Sequence, residues 1–447
     1  MRYFNRLRIV KLLPLLILTL SIFNSNAQVW TLEQCIDTAI QNNLTLQKSA
    51  VTTQIANVTL RNSKQNLLPS VNAGGTHGYN WGQTIDPFTN QFATNRVQYD
   101  NLSLSSSFTL FSGLQNYHTI KANSFASQQS EVNQQIAERN LKIDVSSAYL
   151  QVLLNEEILN LSKDNQHKTQ EQLQRMQELL AVKQATTFDL SEIEAQLNLD
   201  NYQLTKSGND LSYSKLILQQ ILNIPYADSF EINSSMLDSS QFNHLILTDS
   251  TINKLPEIIS LELGVKKQMM LIKSQKGRYY PSLLVSGSMG SGYSGNNKML
   301  ETNGSYVPKP FGRQLGENFY QSAQLILSVP IFNKNANRNQ VKIAEYQLQS
   351  LYLDKQNQAN TLKQKLEQIS MDIINESEQY NALKSVYESA LINYTNFQTR
   401  YENSDVTFTQ LVEAKNKLYN ATSKLYQSNY QLLFKETVMS FYYDDLH

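Results

Sequence analysis

Residues 99–111 read YDNLSLSSSFTLF, and residues 320–332, which lie 221 positions later, read YQSAQLILSVPIF. In both stretches apolar side chains alternate with small polar ones. The alternating apolar positions include Leu102, Leu104, Phe108, Ala323, Leu325 and Leu327. Alternation with a period of two over about ten residues is typical of strands in a transmembrane β-barrel, where the apolar side chains face lipid. One face of a soluble β-sandwich would give the same pattern if each stretch were considered alone.

An internal repeat extends outward from these two stretches. The offset 331 − 110 = 221 holds without a gap for roughly a hundred residues. Leucines recur every seven positions in the first copy, and the second copy keeps an apolar residue at each equivalent position. These pairs are Leu190 with Leu411, Leu197 with Leu418, Leu204 with Leu425, Leu211 with Leu432, and Leu218 with Met439. A seven-residue apolar spacing indicates helices packed as coiled coils.

The two copies differ in length at one place. Pro69 corresponds to Pro281, at an offset of 281 − 69 = 212, so the second copy contains 221 − 212 = 9 additional residues before the second strand. The extra residues fall in the stretch 290–316, which is rich in Gly and Asn. Insertions are best tolerated in surface loops, so we expect the second copy to carry the larger loop there.

The repeat predicts the same order of elements twice: helix, strand, loop, strand, very long helix, short turn and return helix. Repeat one covers residues 28–224, with its elements at 31–66, 71–81, 99–111, 114–182, 183–187 and 188–222. Repeat two covers residues 249–443, with its elements at 249–276, 283–293, 319–331, 335–402, 403–407 and 408–442. A linker, 225–248, separates the repeats, and a tail, 444–447, ends the chain. Each long helix would measure about 100 Å, at 1.5 Å per residue.

The amino terminus and the composition limit the class of protein. Residues 1–27 combine a basic head, an apolar run and a final Ala27, which is typical of a cleaved secretory signal peptide. The alternative is an N-terminal membrane anchor, although the apolar run is short for a membrane span. The single cysteine, Cys35, excludes an intrachain disulfide, and we expect it to be buried and not lipidated.

Several classes of chemistry find no support in the sequence. The 38 basic and 38 acidic residues balance, whereas nucleic-acid binders normally carry a basic excess. No pair of the five histidines has metal-ligand spacing, so we expect no metal site and no cofactor. Phosphate-binding glycine loops and nucleophile elbows are missing, so we expect a protein that is not an enzyme.

Closure of the sheet predicts an oligomer. Four strands in lipid would leave two unpaired edges, which is prohibitively unfavourable in a membrane. Two copies would give eight strands, a barrel too narrow for a duct, whereas three copies would give twelve. We therefore expect a homotrimer with a twelve-stranded barrel, continued by a long α-helical barrel built from an internal two-fold repeat.

The chain resembles the TolC family of outer-membrane efflux proteins from about residue 28 to residue 443. The resemblance rests on the order, spacing and duplication of short motifs. These are WTLEQCIDTA at 30–39, LPS at 68–70, VPIFN at 329–333 and the turns at the tips of the long helices. It implies a trimeric channel in the outer membrane of a Gram-negative bacterium that extends into the periplasm. It also implies a periplasmic adaptor protein and an inner-membrane pump of the RND or ABC type as partners, in tripartite efflux or type I secretion of small molecules or polypeptides.

The resemblance further implies a periplasmic gate at the tips. The positions that match the family's acidic region are Asp189, Glu192, Gln410 and Glu413, and Tyr401 matches the family's tyrosine. The family's basic position falls on Val406, which cannot form a salt bridge, and Arg400 is a misplaced substitute. A carboxylate ring would favour cations. Alternatively, these acids are solvated residues that complement the dipoles of the returning helices.

The exposed tips are the expected contacts for an adaptor, because the ends of hairpins are free to bind. The residues concerned are Lys183, Gln184, Asn403 and Ser404, and we expect Asn403 to adopt the left-handed conformation that a glycine usually takes. The competing class of protein is a structural or adhesive trimeric coiled-coil surface protein. That class would explain the heptads and the helices, but not two strand hairpins in register with the repeat.

Overall fold

The computed structural model describes residues 29–86, 88–93, 96–233, 249–302, 304–403 and 405–445. The predicted signal peptide and most of the linker lie outside these residues. The helices are α1 Leu32–Asn42, α2 Leu44–Gln65, α3 Gln115–Ala181, α4 Thr187–Leu222, α5 Asp249–Ile252, α6 Pro256–Gly277, α7 Phe311–Glu317, α8 Ala336–Glu402 and α9 Phe408–Asp444. The strands are β1 Val29–Trp30, β2 Ser70–Asn80, β3 Thr84–Ile85, β4 Phe92–Ala93, β5 Val97–Ser112, β6 Glu231–Ile232, β7 Ser282–Ser294, β8 Lys298–Leu300, β9 Tyr306–Pro308 and β10 Tyr320–Ser328.

Four long strands form one antiparallel sheet in the order β10-β7-β5-β2. Two hairpins, β2 with β5 and β7 with β10, therefore join through the β5–β7 pair. Strands β2 and β10 form the two edges. Strand β10 ends at Ser328, before the predicted end at residue 331, because Pro330 has no N–H group to donate to a strand ladder.

The two faces of this sheet have different chemistry. Val285 pairs with Phe108 and with Leu325, which places three apolar residues in one row. Ser286, one residue further along β7, pairs with Ser107 and Gln324 and points to the other face. The positions on this second face of β5, β7 and β10 are Tyr99, Asn101, Ser103, Ser105, Ser107, Thr109, Ser282, Leu284, Ser286, Ser288, Gly290, Gly292, Ser294, Tyr320, Ser322, Gln324, Ile326 and Ser328. Together with the alternate positions of β2, from Ser70 to Asn80, this described face carries no ionisable carboxylate, amine or imidazole.

The strands lead into two very long helices. Helices α3 and α8 contain 67 residues each, which corresponds to about 100 Å of length. Both begin after two residues with positive φ: Gly113 and Leu114 at 60° and 61°, and Lys334 and Asn335 at 55° and 60°. At Gly113 a side chain would collide with the backbone carbonyl of Gly277, so glycine is needed for close approach as well as for its φ angle.

The helices keep the order of the strands. Helix α2 packs against α3, α3 against α6, and α6 against α8. This order, α2-α3-α6-α8, follows the sheet order β2-β5-β7-β10, so sheet and helices form one continuous wall. Further from the sheet, α4 returns along α3 and α9 returns along α8. We refer to α3 with α4 as hairpin one, and to α8 with α9 as hairpin two.

Two predicted helices are interrupted in the structure. The helix predicted for residues 31–66 is divided at Asn43, which has an extended ψ of 119°. The Asn43 side chain accepts hydrogen bonds from the backbone N–H groups of Thr45 and Leu46, at 2.9 and 3.1 Å, and so caps α2. The helix predicted for 249–276 is divided into α5 and α6, because Pro256 begins α6 at a position where its missing N–H is harmless.

A small core surrounds the middle of the long helices. Cys35 is fully buried there with Ala39, Val145 and Leu218, which confirms that it is an ordinary core residue. Strand β1 pairs in parallel with β6, so the start of the linker returns to the amino-terminal segment. Among the described residues, none of the helices combines the length and the apolar character needed to cross a membrane.

Candidate gate at the helical tips

Each hairpin reverses direction through a tight turn at the end remote from the sheet. In hairpin one, Lys183 adopts φ of 63°, and the N–H of Gln184 donates to the carbonyl of Leu179 at 2.8 Å. In hairpin two, the N–H of Asp405 donates to the carbonyl of Arg400 at 2.9 Å. Both bonds close the last turn of a long helix as in a Schellman motif.

The prediction for Asn403 was wrong. Its φ is −91°, a negative value, because it is the residue that ends α8. The residue after it, Ser404, lies outside the described residues. Lys183, Gln184 and Asn403 are all exposed at the tips, and Ser404 cannot be placed beside them.

A capping box starts each return helix. The Asp189 carboxylate accepts hydrogen bonds from the backbone N–H and the hydroxyl of Thr186, at 2.9 and 2.6 Å, and the Thr186 hydroxyl accepts from the N–H of Asp189 at 3.2 Å. Gln410 makes the same reciprocal bonds with Thr407, at 3.0 and 3.4 Å. The side-chain hydrogen bond from Thr186 lowers the pKa of Asp189. The acid and the amide therefore occupy equivalent capping positions.

The other two acidic positions have different surroundings. Glu192 on α4 accepts a hydrogen bond from the hydroxyl of Thr409 on α9, at 2.6 Å, so it connects the two hairpins. Glu413, one turn further along α9, is exposed. Within a single chain the structure thus brings Glu192 to hairpin two, while it leaves Glu413 open to solvent.

An aromatic contact also joins the tips. Phe408 is only 4% exposed and packs among Leu173, Met176 and Ile193 of hairpin one. Tyr401 lies against Phe408, with 6.1 Å between the ring centroids. Burial raises the pKa of the Tyr401 hydroxyl.

One basic residue that acts on this tyrosine was not expected from the sequence. The positive charge of Arg175 on α3 opposes the rise in the pKa of Tyr401. Arg400, the candidate substitute, instead lies over the ring of Phe397, with 5.9 Å from its guanidinium carbon to the centroid. Val406 is half-buried in the tip turn.

A buried polar network lies further from the tip, where no functional residue was predicted. Lys415 of α9 donates to the Asp200 carboxylate of α4 at 2.9 Å, and it also donates to the hydroxyl of Thr169 on α3. Asn165 and Gln196 donate to the other Asp200 oxygen at 3.1 and 2.8 Å. The side chains of Lys415 and Asp200 are 3% and 5% exposed. Burial lowers the pKa of Lys415, and the hydrogen bond to Asp200 opposes that change.

This network had a detectable signal in the sequence. Asp200 lies seven positions after Ile193 and seven before Ser207, and all three are buried on one side of α4. A carboxylate at a repeating core position needs a buried partner, because an unpaired charge there would be strongly destabilising. A search for charged residues at the apolar spacing would have identified Asp200, although it would not have identified Lys415 as its partner.

Comparison with known families agrees with this arrangement of sheet and hairpins. Residues 35–223 and 247–438 match the model of a family described as outer membrane efflux protein. The chain belongs to this family. It is therefore an efflux channel protein of the outer membrane, as the resemblance of its motifs implied.

Individual relatives of this outer membrane efflux protein are distant but extend over most of the chain. Outer membrane protein TolC of Escherichia coli is 23% identical over 439 residues, which is 95% of this chain and 85% of the relative. The probable outer membrane lipoprotein SilC of Salmonella typhimurium is 21% identical, over 86% of this chain and 79% of the relative. These relatives are named as outer-membrane proteins, in keeping with transport and not catalysis.

Solved structures share the fold of this efflux protein. The Campylobacter jejuni CmeC outer membrane channel superimposes with a TM-score of 0.79 at 16% identity, over 93% of this chain and 85% of that one. CusC gives a TM-score of 0.77 at 16% identity, over 93% and 91% of the two chains. The mixed architecture of sheet and long helical hairpins is thus that of known outer-membrane channels.

Proposed function

We propose that this protein forms a homotrimeric channel in the outer membrane, within a tripartite efflux or type I secretion system. Small molecules or polypeptides would reach it from an inner-membrane pump of the RND or ABC type, through a periplasmic adaptor. The observation that carries this proposal is a two-faced sheet with two free edges, continued by helices of about 100 Å.

The two edges of the wall support ring closure. Strands β2 and β10 have no described neighbour on their outer sides, and unpaired backbone groups are not tolerated in lipid. The helices that continue these edges carry matching apolar stripes. The exposed residues of the α2 stripe are Val51, Ile55 and Val58, and those of the α8 stripe are Ile343, Tyr346 and Leu353. If β2 and α2 of one copy packed against β10 and α8 of the next, the strand edges would be paired and both apolar stripes would be covered.

The two faces of the sheet support a membrane position around a polar pore. The apolar row from Leu283 to Met289, with its partners on β5 and β10, suits contact with outer-membrane lipid. The opposite face, rich in serine, suits a water-filled lumen. Three copies of the four strands would give the twelve-stranded barrel, and the two hairpins of each copy would supply the helical barrel in the periplasm.

We propose the tips as the gate and the adaptor contact. Asp189, Glu192, Gln410, Glu413 and Tyr401 lie close to the two turns, on or beside the first two turns of the return helices. The proposal that Lys183, Gln184, Asn403 and Ser404 meet the adaptor rests on the exposure of the first three. The division into two repeats, residues 28–224 and 249–443, follows the offset of 221. Because each repeat contains one helical hairpin, hairpin one and hairpin two would alternate around the ring.

Two measurements test the channel. Native mass spectrometry of the detergent-solubilised full chain should give the mass of a trimer, and the same sample should give unitary conductance steps in a planar lipid bilayer. A stable monomer or dimer without conductance would refute the proposal. A trimer that never conducts, combined with loss of surface adhesion on deletion, would instead favour the structural or adhesive class.

A further inference from the structure

The serine-rich face of the sheet is exposed in its middle but covered at the end remote from the long helices. Asn72 and Ser105, near the middle of this face, are exposed. Val97 and Ser294 lie at the remote end and share the same face by alternation, yet both are 0% exposed. Another part of the same chain therefore covers this face at its outer end.

The cover is the connection between β2 and β5, which we call loop one. The ring of Phe88 occupies the space above Gly292, where the Cβ of any other residue would overlap it. The Asp86 carboxylate is 1% exposed and accepts hydrogen bonds from the hydroxyl of Ser294 and from the N–H groups of Phe88 and Thr89, the latter two at 2.9 and 3.2 Å. Several donors of this kind stabilise a buried carboxylate. Loop one is thus fastened to the serine-rich face.

The connection between β7 and β10, which we call loop two, folds toward the opposite face. Phe311 of α7 packs against Tyr293, with 5.3 Å between the ring centroids. The hydroxyl of Ser291 donates to the carbonyl of Leu315. Ser291 and Tyr293 lie on the apolar face, because they alternate with Gly292 and Ser294 along β7. Of the two loops, it is therefore loop one that covers the face proposed to line the lumen.

The surface that loop one turns away from the sheet is apolar. Strands β3 and β4 pair Ile85 with Phe92, and the pairing continues where the N–H of Asp86 donates to the carbonyl of Gln91 at 3.0 Å. Since the Asp86 side chain points to the sheet, alternation directs Ile85 and its partner Phe92 away from it. These two side chains are 53% and 81% exposed.

We propose that loop one forms an apolar collar inside the outer mouth of the channel and limits the size of the molecules that pass there. The inference rests on the proposed trimeric channel, in which Ile85 and Phe92 of three copies would form the inner surface of the collar. Layers of β-structure that pack face to face lie about 10 Å apart, so each copy of loop one would narrow the mouth from its own side. Because these side chains carry no charge and offer no hydrogen bond, the collar would select by width and not by charge.

Thiol labelling from outside intact Gram-negative cells that produce the full-length protein tests this inference. Ser105→Cys places a thiol on the exposed middle of the serine-rich face, beneath the collar. The probes are a small charged maleimide and maleimides attached to polyethylene glycol chains of increasing size. Leu104→Cys, at the neighbouring position on the apolar face, is the matched control. Cys35 needs no replacement, because it is fully buried and burial raises the pKa of its thiol to about 12.

The small maleimide should label Ser105→Cys readily, whereas the larger probes should label it slowly. Adding Ile85→Ala and Phe92→Ala together removes the exposed apolar side chains and should speed labelling by the larger probes several-fold. Asp86→Ala, which releases loop one from the sheet, should have the same effect. Arg313→Ala changes an exposed side chain of loop two and should leave the labelling unchanged.

Two results would overturn the collar while leaving the channel in place. One is labelling of Ser105→Cys by the largest probe as fast as by the small maleimide, with loop one unaltered. The other is that the Ile85→Ala/Phe92→Ala and Asp86→Ala changes speed labelling no more than Arg313→Ala does. Equal labelling of Leu104→Cys and Ser105→Cys by the small maleimide would mean that neither face of the sheet meets lipid, which would remove the proposed channel and this inference with it.

Discussion

The tip of hairpin one reads TTFD from Thr186 to Asp189, whereas the tip of hairpin two reads TFTQ from Thr407 to Gln410. The first and last residues of both segments form the same capping box. The two middle residues exchange order, so that Phe188 is 72% exposed and Phe408 is 4% exposed. The two tips therefore share the local chemistry that starts a helix. They differ in the position of the phenylalanine, which is one residue earlier in hairpin two and there inserts into hairpin one.

The largest expected effect comes from breaking the ion pair that accompanies this insertion. Lys415→Ala leaves the Asp200 carboxylate buried without its cation, at a cost of roughly 3–5 kcal/mol. We expect a large loss in the free energy of unfolding, measured by denaturant titration of the solubilised protein. Lys417→Ala, at an exposed position on the same helix, is the matched control and should have little effect. Equal stability of the two variants would contradict the importance of the network.

The second effect concerns the inserted phenylalanine. Phe408→Ala removes a buried aromatic ring and should cost about 3 kcal/mol, at the lower end for such substitutions because the tip can partly collapse. Limited proteolysis at the tip turns should become markedly faster. Phe188→Ala is the comparison, since most of that ring is already in water. Faster cleavage in Phe188→Ala than in Phe408→Ala would mean that Phe188, and not Phe408, holds the tips together.

The shared caps should give smaller and equal effects. Thr186→Ala and Thr407→Ala each remove one capping box, which is worth about 1 kcal/mol. Hydrogen exchange followed by mass spectrometry should show faster exchange in the first turn of α4 for one variant and of α9 for the other. If only one of the two helices responds, the caps are not equivalent.

The smallest effect is a dependence on pH that only one tip should have. The pKa of Asp189 is lowered by its hydrogen bonds to Thr186. A lowered pKa in the folded state means that this stabilisation is complete above the ordinary aspartate value of about 4, and is lost as the pH falls through the lower folded value. The first turn of α4 should therefore exchange faster in acid, relative to Asp189→Asn at the same pH. The first turn of α9, capped by Gln410, should show no such change.

Much of the fold could be predicted from local patterns. Alternation in 99–111 and 320–332 indicates strands. Strand β5 covers the whole first stretch, and β10 covers the second as far as Ser328. The repeat predicts two very long helices, and α3 and α8 lie at these positions, where residues 114–182 and 335–402 contain no proline and no glycine. Local patterns failed at Asn43, because an asparagine inside an apolar spacing can either continue a helix or cap a new one, and tertiary packing decides between them.

The candidate site was less accessible to sequence reasoning. Asp189 and Glu192 share a helix face, but only the structure distinguishes a capping acid from one that contacts the other hairpin. The prediction for Asn403 rested on residue type and failed because Asn403 ends α8 with a φ of −91°. Residue type is a weak guide at these tips, since the left-handed residue of hairpin one is Lys183, which has no special preference for that conformation. Lys415 and Asp200 are 215 residues apart in sequence, and no local pattern reports such a pairing.

The serine-rich face of the sheet has a consequence for electrical behaviour. In the proposed channel, a wall whose strand positions carry no fixed charge would attract no layer of counterions, so the ions inside it would come from the surrounding electrolyte alone. With the tips open, the conductance of this section should rise in proportion to salt concentration down to dilute solutions. Carboxylates on the wall would instead hold cations inside it, and the conductance would level off in dilute solution. The membrane section would thus act as a plain ohmic resistor, and any rectification of the current would originate in the helices.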